Sequence, residues 1–334
     1  MQTPDIEYAK LGDSGITVSK ICLGTWAIGG WMWGGTDEGE SIRTIRAALD
    51  KGINFIDTAP VYGFGRSEEI VGKALREHGS RDQVVVATKA GLEWGDQGIT
   101  RNSRRERILQ EIGDSLQRLQ TDYIDLYQIH WPDSRTPFAE TAGVMNELLE
   151  EGKIRAVGVS NYSPAQMDAF RQAAPLHSVQ PPYNLFERQI EDDVLPYAKE
   201  HGIAVLAYGA ICRGLLSGRM KPDTRFTGDD LRRHDPKFQE PRYSSYLDAV
   251  AALDALAQRG HGRSVLELAV RWVLDQGAIA LWGARHPGQL DNVGRVFGWS
   301  VSPGEMDEID EVIRSNIPDP VGPEFMAPPP ADNG

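Results

Sequence analysis

Eight short runs rich in Val, Ile and Leu recur along the chain, most of them separated by segments of helical period, and this alternation restricts the fold more than any other feature. The expected strands are Lys20–Leu23, Asn54–Asp57, Gln83–Thr88, Tyr123–Ile129, Ile154–Val159, His177–Gln180, Ile203–Ala207 and Ala278–Trp282. Expected helices include Glu38–Lys51, Glu68–Glu77, Arg104–Leu119, Thr141–Glu150, Pro164–Gln172, Ile190–Glu200 and Val265–Asp275. Ser103 with Glu106, Ser264 with Glu267 and Ser302 with Glu305 have capping-box spacing, while Pro164 and Pro303 suit a first helical position. Gly52, Gly152 and Gly202 each end a helix just before a strand, where a left-handed residue is expected.

Repeated βα units build either a closed barrel or an open doubly wound sheet. An open dinucleotide-binding sheet normally carries G-x-G-x-x-G at its first strand-to-helix turn, and Gly24-Thr25-Trp26-Ala27-Ile28-Gly29 lacks that spacing. The expected fold is an α/β (β/α)8 TIM barrel, a single domain over residues 1–334, a length and a 40% hydrophobic content that suffice for one large core. Glu7–Lys20, centred on Gly12-Asp13-Ser14-Gly15, reads as an N-terminal hairpin able to plug the barrel bottom. Large loops are expected at the C-terminal face. Arg213–Tyr243 is longer and more charged than a connector requires, and reads equally as a lid or a solvated insertion. The Pro-rich end, 317–334, reads by composition as a tail, with folding over the pocket as the alternative.

Charge and cysteine content narrow the partners. With 35 basic against 48 acidic residues, the net charge of −13 disfavours nucleic acid. Two cysteines, Cys22 and Cys212, imply no disulfide framework and suit a cytoplasmic location. Met1–Lys10 lacks the pattern of an export signal, and no apolar run is long enough for a membrane span. The oligomeric state is left open.

Strand C-terminal ends share the mouth of a barrel, so the polar residues there are the candidates for chemistry. Strand two ends at Asp57 and leads through Thr58-Ala59-Pro60-Val61 to Tyr62; strand three ends Thr88-Lys89; strand four ends Gln128-Ile129-His130. Any one of the four reads as structural in isolation: a satisfied carboxylate, a rim aromatic, a snorkelling lysine, a hydrogen-bonding histidine. Together at one face they can make a proton donor. Lowering a tyrosine from its usual pKa of about 10 by ~3 units is worth ~4 kcal/mol; Lys89 is expected to supply it, with Asp57 holding Lys89 charged and His130 positioning a carbonyl oxygen.

These segments resemble the aldo-keto reductase superfamily. Asn54-Phe55-Ile56-Asp57-Thr58-Ala59-Pro60-Val61-Tyr62-Gly63 is similar to its Asp and Tyr signature, Asp125-Leu126-Tyr127-Gln128-Ile129-His130-Trp131-Pro132 to its His signature, and Ala87-Thr88-Lys89 to its lysine strand. The likeness runs from about Leu11 to Ile313 and is nearest the bacterial, glyceraldehyde-reductase-like branch. It implies NADPH-dependent, reversible reduction of small aldehydes and ketones such as glyceraldehyde and short sugars, with Tyr62 protonating the oxygen.

The resemblance also implies a dinucleotide across the barrel top. Ser160, Asn161 and Gln180 suit a carboxamide, Tyr208 can stack on the nicotinamide, and Thr25, Trp26 and Asp57 lie beside it. The Gly209-Ala210-Ile211-Cys212-Arg213-Gly214-Leu215-Leu216-Ser217-Gly218 loop suits a pyrophosphate. Gly283 leads to Arg285, placed for a 2′-phosphate, which is the reason to expect NADPH over NADH. Gln289 and Asn292 are the candidates for the adenine end, although the family's usual Glu-Glu-Asn run is absent. Trp26, Trp33, Trp94 and Trp131, with Trp31, form the expected wall for a small carbonyl or polyol substrate.

Two rivals compete. A metal-dependent barrel hydrolase needs several ligands and often an H-x-H pair, whereas only His130 among seven histidines ends a strand at the catalytic face, so no metal is expected. A regulatory, redox-sensing subunit of the same fold commonly carries asparagine at the His130 position.

Overall fold

The computed structural model describes residues 6–79, 81–95 and 98–328; the ends of the expected 1–334 domain, including the last six residues of the Pro-rich segment, lie outside them. The described chain enters through an antiparallel hairpin, β1 (Tyr8–Lys10) and β2 (Thr17–Ser19), followed by β3 (Ile21–Gly24), β4 (Phe55–Asp57) and β5 (Val85–Ala90). A second antiparallel pair, β6 (Leu92–Gly95) and β7 (Gly98–Arg101), stands outside the barrel. Then come β8 (Ile124–Ile129), β9 (Ile154–Ser160), β10 (Ser178–Gln180), β11 (Ala204–Ala207) and β12 (Ile279–Gly283). Strands β3, β4, β5, β8, β9, β10, β11 and β12 pair in that order, all parallel, and β12 closes back on β3. The closed (β/α)8 barrel is therefore the fold.

Helices α1 (Trp26–Gly29), α2 (Glu38–Asp50), α3 (Arg66–His78), α4 (Arg105–Leu119), α5 (Phe138–Glu150), α6 (Pro164–Arg171), α7 (Val194–Glu200), α8 (Arg242–His261), α9 (Val265–Asp275) and α10 (Pro303–Asn316) accompany it. Gly52, Gly152 and Gly202 all have positive φ, as a left-handed helix stop requires. At Ser302 the capping box is complete, its hydroxyl accepting from the Glu305 amide and its amide donating to the Glu305 carboxylate. At Ser264 the Glu267 carboxylate accepts the Ser264 amide. The box expected at Ser103 does not form. Its amide donates to Asp133 and its carbonyl accepts from Thr141, so Ser103 ties two loops together and α4 starts after Arg104.

The hairpin seals the bottom of the barrel. Leu11, Ile16 and Val18 are buried against the inward residues Cys22, Phe55, Val85, Leu126 and Ile279. Burying each such side chain is worth roughly 1.5–3 kcal/mol. Above this apolar layer the inward residues turn polar, as Asp57, Lys89, Gln128, Ser160 and Gln180, all at most 2% exposed.

Two expectations about loops resolve toward packing. Within 213–243 the chain makes short 3-10 turns, buries Leu231, Asp235, Lys237 and Phe238, and reaches the loop after α1: Asp229 accepts from the amides of Met32 and Gly34, and the Leu231 amide donates to the Met32 carbonyl. The described part of the Pro-rich end is no free tail either. The Val321 amide donates to Tyr246, and Arg101 donates to the Pro328 carbonyl, which lays Phe325 and Met326 along the barrel mouth. α8 was not expected; its buried Tyr243, Tyr246, Val250, Leu253 and Leu256 follow helical spacing, but many small residues between them blur the stripe.

Candidate active site

Register sets the heights of the candidate side chains. Gly24 pairs with Asp57, Asp57 with Ala87, and Lys89 with Gln128, so Asp57 and Lys89 emerge at one level inside the rim. The turn after β4 then lifts Tyr62 over them. Its shape depends on a close backbone approach: a β-carbon at Gly29 would lie 2.6 Å from the Tyr62 carbonyl carbon, and one at Gly63 would lie 2.1 Å from the Gly29 oxygen. Only glycines let α1 press against this turn.

Lys89 is fully buried, and its ammonium has three acceptors: Asp57 Oδ1 at 2.6 Å, the Thr58 carbonyl at 3.0 Å and Tyr62 Oη at 3.2 Å. An ammonium has three N–H groups, so all are committed and Tyr62 is an acceptor in this bond. The phenolic proton is then left to point into the cavity, and no described residue takes it. The other Asp57 oxygen accepts from Gln180 at 2.8 Å and Gln128 at 3.2 Å, so this carboxylate is saturated and fixed. His130 stands edge-on to the Tyr62 ring, centroids 5.8 Å apart. Its main chain is held on both sides, the amide donating to Ala90 and the carbonyl accepting from Asn161.

The electrostatics differ from the expectation in one respect. Burial pushes the Tyr62 phenol above its ordinary value; Lys89 pulls it back only in part, and Asp57 adds to the rise. The expected lowering fails because burial of the phenol outweighs the pull of Lys89, with Asp57 adding to the rise. Burial opposes charge on Lys89 as well, yet Asp57 and then Tyr62 outweigh it and hold the ammonium above its usual range. Burial, with Lys89 nearby, drives His130 well below the usual histidine value, so the ring is neutral near pH 7. The arrangement is a protonated phenol backed by a permanent cation, beside a neutral imidazole able to donate one hydrogen bond.

Asp57, Tyr62 and His130 line a cavity of about 1230 Å³ that continues over the barrel top to Arg285, His286 and Gln289. It exceeds the usual ~300–1,000 Å³ of a small-ligand pocket, leaving room for an extended ligand beside a small one. Trp26, Trp31, Trp33, Trp94 and Trp131 all line it, with Trp26 stacked on Tyr62 at 5.9 Å and edge-on to Trp33 at 5.6 Å. Phe64, Ile99, Phe325 and Met326 complete the apolar wall and were not foreseen. Gln128 was missed too, although alternation along Leu126, Gln128 and His130 puts it on the inward face.

Of the expected cofactor contacts, Thr25, Trp26, Asp57, Ser160, Asn161, Gln180, Tyr208, Gly209, Arg213, Gly214, Gly283, Arg285 and Gln289 line this cavity. Ala210 and Asn292 do not: Ala210 is wholly buried in the outer core and Asn292 is exposed before a 3-10 turn. The Arg213 guanidinium is not free for a phosphate, because it donates to Asp235 at 2.6 Å and to Glu187. Arg285 donates to the carbonyls of Trp33 and Gly35, and Gln289 Oε1 accepts from the amides of Arg285 and His286. At the paired glycines Gly24 and Gly283, a β-carbon would meet no protein atom closer than 3.9 Å, so the space they leave open belongs to the cavity.

Fold and site together define an α/β barrel with a carboxylate, a phenol, an ammonium and an imidazole gathered at its C-terminal mouth. The chain belongs to the aldo/keto reductase family, whose model matches residues 20–314. It is 61% identical over 326 residues to aldo-keto reductase YhdN of Bacillus subtilis, covering 97% of this chain and 98% of that one. It is 39% identical over 297 residues to the NADH-specific methylglyoxal reductase of Escherichia coli, covering 84% and 90%. Among solved structures, the glycerol dehydrogenase AKR11B4 of Gluconobacter oxydans superposes with a TM-score of 0.86 at 54% identity, over 98% of this chain and 100% of that one. The family consists of nicotinamide-dependent oxidoreductases acting on small carbonyl compounds.

Proposed function

We propose that this protein reduces small aldehydes and ketones, glyceraldehyde and short sugars among them, with NADPH, and oxidises the corresponding alcohols or polyols in reverse. The observation that carries the reading is the Lys89 ammonium, whose third N–H goes to Tyr62 and leaves the phenolic proton facing the cavity.

The cavity suits a dinucleotide: its glycine-lined floor at Gly24 and Gly283, the Gly209–Gly214 loop and the Tyr208 ring leave a long uncluttered track. Ser160, Asn161 and Gln180 would hold the carboxamide end, Gly209 and Gly214 the pyrophosphate, and Arg285 the 2′-phosphate. A reduced nicotinamide, when bound, supplies the hydride. Tyr62 gives its proton to the carbonyl oxygen, Lys89 stabilises the phenolate that forms, and Asp57 keeps Lys89 charged and still. His130 donates to the same oxygen and orients it. The tryptophan wall excludes water around the reacting carbonyl. Two free, buried cysteines fit a reducing, cytoplasmic setting.

The test is direct. Purified protein should consume NADPH when glyceraldehyde or methylglyoxal is added. Arg285→Ala should raise the KM for NADPH by roughly tenfold while leaving that for NADH within about twofold, as loss of one charge-assisted phosphate contact predicts. Equal effects on both would remove Arg285 from phosphate recognition, a distinction made pointed by the NADH-specific relative.

A further inference from the structure

Close to the Gly209–Gly214 loop lies a cluster of charge that the chemistry above does not use. Glu187, Arg213, Asp235 and Lys237 are at most 6% exposed, and they form two cations against two carboxylates. Arg213 donates to Asp235 and Glu187; Lys237 meets Glu187 at 2.8 Å and donates to the Gly322 carbonyl at 3.1 Å. Asn184 donates both to Glu187 at 2.7 Å and to the Gly209 carbonyl at 3.0 Å. The Arg213 guanidinium lies over the ring of Phe325 at 5.6 Å.

Buried ion clusters are poor sources of stability, since desolvation offsets most of the attraction, but they demand one geometry. Here the four members come from three separate stretches of chain, and the Lys237 partner Gly322 from a fourth. Glu187 follows β10, Arg213 belongs to the loop after β11, Asp235 and Lys237 belong to the segment crossing the mouth, and Gly322 belongs to the C-terminal stretch that carries Phe325 and Met326 into the cavity wall. Arg213 is also held at φ 52°, a left-handed conformation that costs a non-glycine residue energy and persists only when its surroundings enforce it.

We propose that this ionic quartet is a coupling device between the two halves of the cavity, with Lys237 and Asp235 as positioning residues. A ligand settling on the Gly209–Gly214 loop fixes Arg213; Arg213 fixes Glu187 and Asp235; Lys237, bound to the same Glu187 oxygen, then fixes the Gly322–Met326 wall where the carbonyl compound binds. A dinucleotide on that loop therefore firms the Gly322–Met326 wall of the carbonyl pocket. The inference rests on the proposed dinucleotide site.

The test follows hydrogen exchange in the peptide spanning residues 317–328 with and without NADP⁺, while quenching of tryptophan fluorescence reports binding independently. In the wild-type chain, NADP⁺ should slow exchange there by about threefold or more. Lys237→Met/Asp235→Asn, which keeps Arg213 and Glu187 as a balanced pair, should still bind NADP⁺ and lose that protection, with a raised KM for glyceraldehyde. If the double variant does not fold, Lys237→Met alone carries the same expectation. Binding without protection in the wild type, or protection that persists in the folded variant, overturns the coupling. Absence of quenching with NADP⁺ and with NAD⁺ contradicts the proposed function itself, and the coupling with it.

Discussion

At the scale of single residues, the Lys89 ammonium organises the site by donating to Asp57, the Thr58 carbonyl and Tyr62. Asp57 is saturated by Lys89, Gln128 and Gln180, so its role is to hold a cation rather than to react. Tyr62 sits above its usual pKa and His130 well below its own, and together they set a pH signature. Reduction needs the protonated phenol. A raised pKa keeps that form through the neutral range, and activity is lost as pH rises through it. The kcat/KM for reduction should be flat between about pH 6 and 9, with no histidine step near 6.5, and should fall only above about 10. A titration centred near 6.5 would contradict a buried neutral His130. That Asp57, Tyr62, Lys89 and His130 share one face was legible because the neighbouring strands β4, β5 and β8 carry them at their C-terminal ends or in the turn that follows. The direction of the Tyr62 shift was not, since it depends on how far burial of the phenol outweighs Lys89, which only the packing around the turn after β4 decides.

At the scale of elements, the turn that follows β5 is fastened to α4 by the Glu111 carboxylate. Glu111 accepts from the Gly91 amide at 2.7 Å and from Arg107 at 3.0 Å, and burial pushes its pKa up to about 8 despite Arg107. A carboxyl whose folded pKa exceeds its unfolded one binds more protons when folded, so stability falls as pH rises between the two values and levels off above the higher. The thermal midpoint of the wild type should therefore decline between about pH 5 and 8 more than that of Glu111→Gln; parallel curves would show that Glu111 stays ionised throughout. Strand and helix positions were readable because βα alternation, Gly stops and two of the three capping boxes agree with one another. What escaped was set by tertiary partners: Ser103 prefers Asp133 to a cap, Ala210 turns to the core, and the 317–328 stretch is held by Arg101, Tyr246 and Lys237 rather than by its own composition.

At the scale of the whole molecule, the barrel separates stability from function along its axis. The plug closes the bottom, whereas every proposed reacting group lies at the top. Leu11→Ala should cost roughly 2–5 kcal/mol of stability, as large-to-small changes in a packed core do, while kcat per folded molecule stays unchanged. A large loss of kcat in that variant would mean that the bottom of the barrel also shapes the mouth. The central claim is that the Tyr62 phenol, backed by Lys89, supplies the proton for carbonyl reduction. Its most direct test is the single-turnover rate of Tyr62→Phe with saturating NADPH and glyceraldehyde, alongside NADPH affinity from fluorescence quenching. A fall of roughly 10²-fold or more at unchanged NADPH affinity is predicted; a rate within a few-fold of the wild type would contradict it.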